Sequence, residues 1–314
     1  MRSFIVRRVG LALLQLVVVA TIVFLLIRLI PGDAARAVLG ENATDDQIAA
    51  MRSTMGLDDS LPMQFVNYWA GLFTGDLGIS LISGRPVAGD LIVRFGNSME
   101  IIVLAILLSL IVGVVLGRIA AVRNDRPIDH ILTGGSVLGI SLPVFVTGTL
   151  LLLVFAIWLP VLPPQRYVSL FSDPLGHLQL VVLPVIALAA TSTAVIMRMT
   201  RSAMLETLGA DFVRTVRAKG VPERQVVSRH ALRNALVPVV AITSVELATL
   251  IGSTVLVETI FGWPGVSSML MQAVTDRDYP VIQAVVLSAS VFVIVVNLLA
   301  DLVIRVLDPR TEAI

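Results

Sequence analysis

The chain has 314 residues, of which 56% are hydrophobic and only 14% charged, against about 25% charged in an ordinary soluble domain. That balance excludes a soluble globular protein and a disordered one, and 22 Gly and 15 Pro without a period exclude collagen-like or low-complexity architecture. A formal net charge of +1 provides no basic stripe for nucleic acid, and zero Cys excludes disulfide frameworks, thiolate metal sites and cysteine nucleophiles.

What remains is a membrane protein, and its long apolar runs make it an all-α one. A helix rises about 1.5 Å per residue, so crossing about 30 Å of hydrocarbon takes about 20 apolar residues. Six such runs occur: Val9 to Ile30, Met99 to Val122, Leu132 to Leu159, Leu178 to Met199, Leu236 to Ile260 and Val281 to Leu307. The first follows Arg2, Arg7 and Arg8, but it is longer than a signal-peptide core and lacks a small-residue cleavage site, which predicts a retained span. Between spans 1 and 2 lies an insertion, residues 31–98. Thr44 and Gln47 form a capping-box pattern ahead of Ile48, Met51 and Met55 at helical spacing. Phe65, Trp69 and Phe73 recur every four residues, as on a short helix that packs on the bundle or lies at the membrane interface. Pro143 and Pro184 are expected to kink or break spans 3 and 4.

Residues 200–235, between spans 4 and 5, read as a helical hairpin. Met204, Leu205, Leu208, Phe212, Val213 and Val216 share one stripe of an amphipathic helix. Gly220 suits a left-handed C-terminal cap and Pro222 the first turn of a second arm, which leads through Glu223, Arg224, His230 and Arg233 to span 5, with Pro238 at its start. A stiff charged hairpin joined to two spans is a docking device for a partner, or else an interfacial helix whose Arg side chains meet lipid headgroups. Glu246 falls near the middle of span 5. It either lines a translocation path, where it would meet an amine or cation, or hydrogen-bonds another span or a partner subunit. Asp301 and Arg305, spaced i, i+4 on span 6, suit a structural pair, and Asn297 is of the same kind.

Short Arg-rich segments stay cytoplasmic. Arg2, Arg7 and Arg8 precede span 1, Arg118, Arg123 and Arg126 follow span 2, and eight basic residues lie between Arg198 and Arg233. The insertion carries four Arg against eight Asp or Glu, and the connections after spans 3 and 5 hold only Arg166 and Arg277. Both termini are therefore expected in the cytoplasm, in agreement with Arg305 and Arg310 and a tail at 308–314.

The residues of the hairpin also carry a resemblance. Arg214-Thr215-Val216-Arg217-Ala218-Lys219-Gly220, followed by His230-Ala231-Leu232-Arg233-Asn234-Ala235-Leu236-Val237-Pro238, resembles the cytoplasmic loop of dipeptide, oligopeptide and nickel importer permeases, the membrane subunits of ATP-binding-cassette importers. Further matches, strongest for the B-type subunit, cover essentially the whole chain. They are Arg28-Leu29-Ile30-Pro31-Gly32-Asp33, Met55-Gly56-Leu57-Asp58, Gln64-Phe65, Gly75-Asp76-Leu77-Gly78, Ser141-Leu142-Pro143-Val144-Phe145, Met204-Leu205-Glu206 and Glu258-Thr259-Ile260-Phe261-Gly262-Trp263-Pro264-Gly265. The chain departs from the wider superfamily in three respects. Arg214, Thr215 and Val216 occupy the Glu-Ala-Ala positions, Gly220 lies farther from Pro238, and Ser267 and Ala284 stand where Gly is expected.

The resemblance implies a type I importer transmembrane domain, with an extracytoplasmic insertion and a permease core over 99–307, in a bacterial inner membrane. It implies a sister permease of the C type, two cytoplasmic ATPase subunits or domains that hold ATP and Mg, and an extracytoplasmic binding protein; no cofactor falls to this chain. By the same resemblance, Arg214 and the run Arg217, Ala218, Lys219, Gly220, Val221, Pro222 and Glu223 meet the ATPase. Ser141, Pro143 and, from its depth in span 5, Glu246 are candidates for the path, and Asp76, Glu258 and Trp263 for binding-protein or gate contacts. The solutes carried by the family are dipeptides, oligopeptides, nickel chelates, glutathione and haem.

Enzymatic chemistry finds little support. His130, His177 and His230 are far apart, and H-E-x-x-H, G-x-S-x-G and G-x-x-x-x-G-K-[ST] are absent, so the chain is expected to be non-catalytic, its energy supplied by another chain. The competing expectations are an ion-driven secondary carrier using Glu246 and an intramembrane hydrolase with a Ser and His joined by the fold.

Overall fold

The computed structural model describes residues 2–29, 34–40, 43–163 and 167–307. Ile30 to Asp33 of the first matched motif, Arg166, Arg310 and the tail fall outside those residues. In chain order the helices are α1 (Arg2–Leu29), α2 (Ala34–Leu39), α3 (Asp45–Thr54), α4 (Leu61–Thr74), α5 (Val87–Val122), α6 (Pro127–Ser141), α7 (Val144–Leu152), α8 (Pro174–Gly209), α9 (Asp211–Ala218), α10 (Glu223–Gln225), α11 (Leu232–Phe261), α12 (Val266–Asp276) and α13 (Tyr279–Leu307). Single π-helical turns extend α7 over Leu153–Trp158 and join α10 to α11 over Val226–Ala231. The only pairing of extended backbone among the described residues is an isolated bridge between Ile79 and Pro86.

Five helices are long and apolar enough to cross a membrane, and α6 with α7 makes a sixth if the bent pair counts as one. The six-span expectation holds in that form, with corrections. The expected span from Leu132 to Leu159 is two arms meeting at 98°, because Leu142, as the residue before a proline, is extended (ψ 120°) and Pro143 cannot donate across the break. Each arm of about 15 residues reaches only about 22 Å, short of the hydrocarbon thickness. Pro184, by contrast, does not break α8, which runs on for 36 residues. Span 2 starts twelve residues early, within α5, because Val87, Leu91 and Phe95 extend its apolar stripe at intervals of four.

The chain divides into two compact units: Met1–Ser98 with Pro264–Ile294, and Met99–Trp263 with Val295–Ile314. In the first, α4 packs on α1. Phe24 meets Phe65 edge-on with centroids 5.2 Å apart, and the Tyr68 hydroxyl donates to the Ala20 carbonyl at 3.2 Å. The expected aromatic row is real, with Trp69 edge-on to Phe65 at 6.2 Å and tilted against Phe73 at 5.9 Å. The capping box is present too, Gln47 N–H donating to Thr44 Oγ1 and Thr44 N–H to Gln47 Oε1. Gln64 donates to the carbonyl of Asp59 at 2.9 Å, tying α4 to the turn after α3. A second cluster joins Val87 and Leu91 of α5 to Val266, Ala273, Val281 and Val285. There Ser80 Oγ and Leu81 N–H donate to the buried carboxylate of Asp278.

The second unit is built on α5, α7, α8 and α11 around Ile101, Ile102, Leu188, Ile196, Val239 and Val257. Close approach of α5 to α8 depends on two glycines. A Cβ at Gly113 would lie 2.8 Å from Ile196, and one at Gly117 2.5 Å from the Met197 carbonyl oxygen.

Candidate functional site

The hairpin between spans 4 and 5 is the part of the molecule most shaped for contact. The expected single helix through Phe212 is broken. α8 ends at Gly209, Ala210 is extended (ψ 149°), and α9 restarts with Asp211 in its first turn. Glycine is a poor helix former and Asp favours a helix start, so the break lies where local preference puts it. The base of the hairpin is apolar. Ala203 and Met204 of α8 pack with Val227, Ala231 and Ala235 of the returning arm and with Ala121 of α5, while Val213 is fully buried.

At the tip the backbone turns as its sequence requires. Gly220 has φ +78°, a region a side chain rarely adopts, and donates to the Arg217 carbonyl at 2.9 Å. Pro222 stands one position before the second arm, not inside it, as the N-cap of α10, with Gln225 N–H donating to its carbonyl at 2.8 Å. The expected second arm runs without interruption into span 5, so that residues Glu223–Phe261 form one helical run containing Pro238.

Across this turn Arg217 grips Glu223 with both ends of its fork, Nε donating to Oε2 at 3.0 Å and Nη2 to Oε1 at 2.8 Å, while Nη1 reaches the Leu208 carbonyl at 3.4 Å. The hydrogen bonds from Arg217 hold the Glu223 carboxyl below its ordinary value, and those to Glu223 raise the Arg217 guanidinium. Glu223 lies thirteen residues before the apolar run of span 5. Arg214 is exposed and reaches Asp211 at 3.4 Å, and Ala218, Lys219, Gly220 and Pro222 are exposed, with Val221 half-buried. A closed, charged turn is thus presented on a rigid base.

The remaining candidates are scattered. Glu246 is half-buried on α11 and accepts a hydrogen bond from Ser192 Oγ of α8 at 2.7 Å, an inter-span bond of the kind expected as one of its two roles. Ser141 donates to the Val137 carbonyl, and Pro143 caps α7 at the break in span 3. Asp76 is exposed, accepts from Gly78 N–H at 2.9 Å and borders a cavity of ≈ 210 Å³ with Asn67, Tyr68 and Gln283. Glu258 and Trp263 are 1% and 2% exposed, so neither presents its side chain at the surface. Gly262 (φ +61°) turns the chain out of α11, and Trp263 lies edge-on to Tyr167 at 5.1 Å and against His177 at 5.6 Å.

Two polar pairs were not anticipated from sequence. His177, 1% exposed, places Nδ1 2.7 Å from the Val168 carbonyl and Nε2 2.6 Å from Glu100 Oε1. The carbonyl only accepts, so Nδ1 donates and a proton is shared between Nε2 and Glu100. Asp129 and Arg201 form the second pair. Each of the four sits at or just beyond the end of an apolar run, and charges of opposite sign at matching ends were the available signal. No group of three or more His, Cys, Asp or Glu among the described residues could hold a metal ion.

The class of protein follows from the bundle, its hairpin and two family matches. Residues 113–313 match the family model for the binding-protein-dependent transport system inner membrane component, and residues 1–86 match the model for its N-terminal part. The chain belongs to that family, the permease subunits of ATP-binding-cassette importers, and is a multi-pass inner-membrane protein. It is 37% identical over 310 residues to the probable peptide ABC transporter permease protein y4tP of Sinorhizobium fredii, covering 99% of each chain. It is 36% identical over 334 aligned positions to the dipeptide transport system permease protein DppB of Escherichia coli K12, covering 99% of this chain and 98% of that one. It is also 37% identical over 309 residues to the glutathione transport system permease protein GsiC of Escherichia coli O6:H1, covering 98% of both.

Proposed function

We propose that this chain forms, with a sister permease, the path by which peptides or a chemically similar solute enter the cytoplasm after delivery by an extracytoplasmic binding protein. Both termini and the hairpin face the cytoplasm in this reading, as the distribution of arginines favours, and 31–98 faces outward. The chain performs no chemistry of its own; ATP and Mg are held by two partner ATPases. The observation that carries the proposal is the hairpin tip, where the left-handed Gly220 and the Arg217–Glu223 fork close an exposed turn on a packed base.

Such a tip transmits force because little flexible backbone separates it from spans 4 and 5. ATP draws the two ATPases together, the tip seated between Arg214 and Glu223 follows, and the bundle opens toward the docked binding protein; hydrolysis reverses the movement. Glu246 contributes a carboxylate to the path, held by Ser192 at one oxygen, where it meets the amine of the solute. Ser141 and Pro143 border the path at the break in span 3. Asp76 contributes to docking of the binding protein, and the buried turn carrying Glu258 and Trp263 contributes to the gate. The resemblance of the chain to dipeptide and glutathione permeases supports a short peptide as solute.

The test is uptake in proteoliposomes containing the assembled transporter and its binding protein. The expected result is ATP-dependent accumulation of a labelled dipeptide, reduced by unlabelled peptide and by Glu246→Gln, and lost when residues 31–86, the insertion up to the start of α5, are deleted from an otherwise assembled complex. Uptake by this chain alone, unaffected by ATP depletion, would overturn the proposal in favour of an ion-driven carrier.

A further inference from the structure

The best-connected polar cluster that the transport reading leaves unused lies where α5, α6 and α8 come together beside the hairpin. Asp129, in the first turn of α6, is 1% exposed. Arg201 of α8 grips it with two parallel bonds, Nε to Oδ1 at 2.6 Å and Nη2 to Oδ2 at 2.7 Å, and Nη2 also reaches Asn124 Oδ1 at 3.1 Å. The same carboxylate accepts from Asp125 N–H at 3.0 Å and from Thr133 Oγ1 at 3.2 Å. Asp125 takes φ +59°, and Asn124 Nδ2 donates to its side chain at 2.7 Å. The turn leaving α5, the start of α6 and one side chain of α8 are thereby fastened at a single carboxylate.

A buried ion pair is seldom the most stable filling for its volume, since apolar side chains of similar size avoid the desolvation cost. What a bidentate Arg–carboxylate pair adds is geometry: two parallel bonds resist rotation as well as separation. The place where that stiffness is applied is informative. Two residues after Arg201, Ala203 and Met204 enter the apolar base of the hairpin together with Ala121 of α5. One residue before it, Thr200 lies under Gly117, with no room for a Cβ between α5 and α8. Farther along α6, Gly139 lies close to Ala194, and its carbonyl accepts from Thr191 Oγ1 at 3.4 Å. α6 packs along α8, with close packing near the break at Pro143 and the Asp129–Arg201 clasp near the hairpin. Loosening the clasp would leave the end of α6 nearest the hairpin to follow α8 less closely.

We infer that the Asp129–Arg201 clasp is the joint that delivers movement of the hairpin tip to α6, and through it to the broken span 3. Both are positioning residues, since they touch neither solute nor nucleotide. The inference rests on the importer reading and adds to it the route by which the tip acts on the path.

The experiment measures solute molecules moved per ATP hydrolysed in the reconstituted transporter. Arg201→Lys keeps a positive charge beside Asp129 but cannot grip both oxygens. The complex is expected to assemble and hydrolyse ATP, while solute moved per ATP falls by at least about fivefold, the lower end of ordinary coupling between sites. Because the chain contains no Cys, Asp129→Cys with Arg201→Cys can be bridged by a short bifunctional thiol reagent. Bridging is expected to restore the ratio lost in the unbridged double variant, and the same reagent on either single variant is expected to leave it low. An unchanged ratio in Arg201→Lys overturns the joint. So does uptake that falls only in proportion to ATP hydrolysis, or a verified bridge that restores nothing. Wild-type uptake without ATPase partners would instead overturn the importer reading, so the two failures are distinct.

Discussion

Gly117 leaves so little space against α8 that an added Cβ would meet Thr200 Cβ at 2.6 Å as well as the Met197 backbone, neither of which is the free end of a flexible side chain. Gly117→Ala is expected to cost about 1 to 3 kcal/mol, the usual penalty for overpacking, seen as a lower melting temperature in detergent. Gly89→Ala, in a helix with nothing within 4 Å of the new Cβ, should leave melting unlowered or raise it slightly. Burial likewise separates the two forked ion pairs. Asp129→Ala strands a cation that is only 26% exposed and is expected to cost about 3 kcal/mol or more, as breaking a buried pair does. Glu223→Ala removes a pair whose side chains are 40% and 59% exposed, and is expected to cost less than about 1 kcal/mol of stability, a correspondingly smaller fall in melting temperature. Residues acting locally were legible from sequence: the Thr44–Gln47 box spans three positions, and the αL conformation of Gly220 is one that glycine admits at the end of an amphipathic stripe just before Pro222. The Asp129–Arg201 clasp joins positions 72 apart, and nothing at either position alone indicates its partner.

Among the elements, the two prolines show what sequence reading could not separate. Pro143 follows an extended Leu142 and ends a helix, whereas Pro184 is buried inside α8 and the helix continues. Tertiary neighbours decide whether the chain tolerates a missing N–H in a membrane helix, and they are not visible in the local pattern. The hairpin was legible in outline because its stripe, its glycine and its proline are local signals. The break at Ala210 was masked because the apolar stripe continues across it, although Gly209 and Asp211 are local signals for it. The Arg217–Glu223 closure carries a sign for pH. The Glu223 carboxyl is held below its ordinary value by Arg217, so its contribution is fully present above the ordinary glutamate range and is lost as pH falls through the lowered value. Tip closure, read by a spin-label pair across residues 218–222, should therefore be flat around neutral pH and loosen only in acid. Glu223→Gln should loosen it at neutral pH and reduce ATP-driven uptake without changing helix content.

At the scale of the whole molecule, the membrane character, the number of spans and the family followed from composition, apolar runs and separated motifs, and the family matches cover residues 1–86 and 113–313. The division into two compact units was less accessible, since one of them joins Met1–Ser98 to Pro264–Ile294 across the sequence. The central claim is that this chain takes its energy from partner ATPases through the turn at Gly220. The most direct measurement isolates the tagged chain in mild detergent, identifies what accompanies it and assays ATP hydrolysis, with Gly220 intact and as Gly220→Pro. Proline cannot adopt φ +78° and has no N–H for the Arg217 carbonyl. A sister permease and ATPases should accompany the native chain, and the variant should lose either their assembly or the stimulation of hydrolysis by the binding protein and solute. Recovery of the chain alone, still transporting after ATP depletion, would contradict the account.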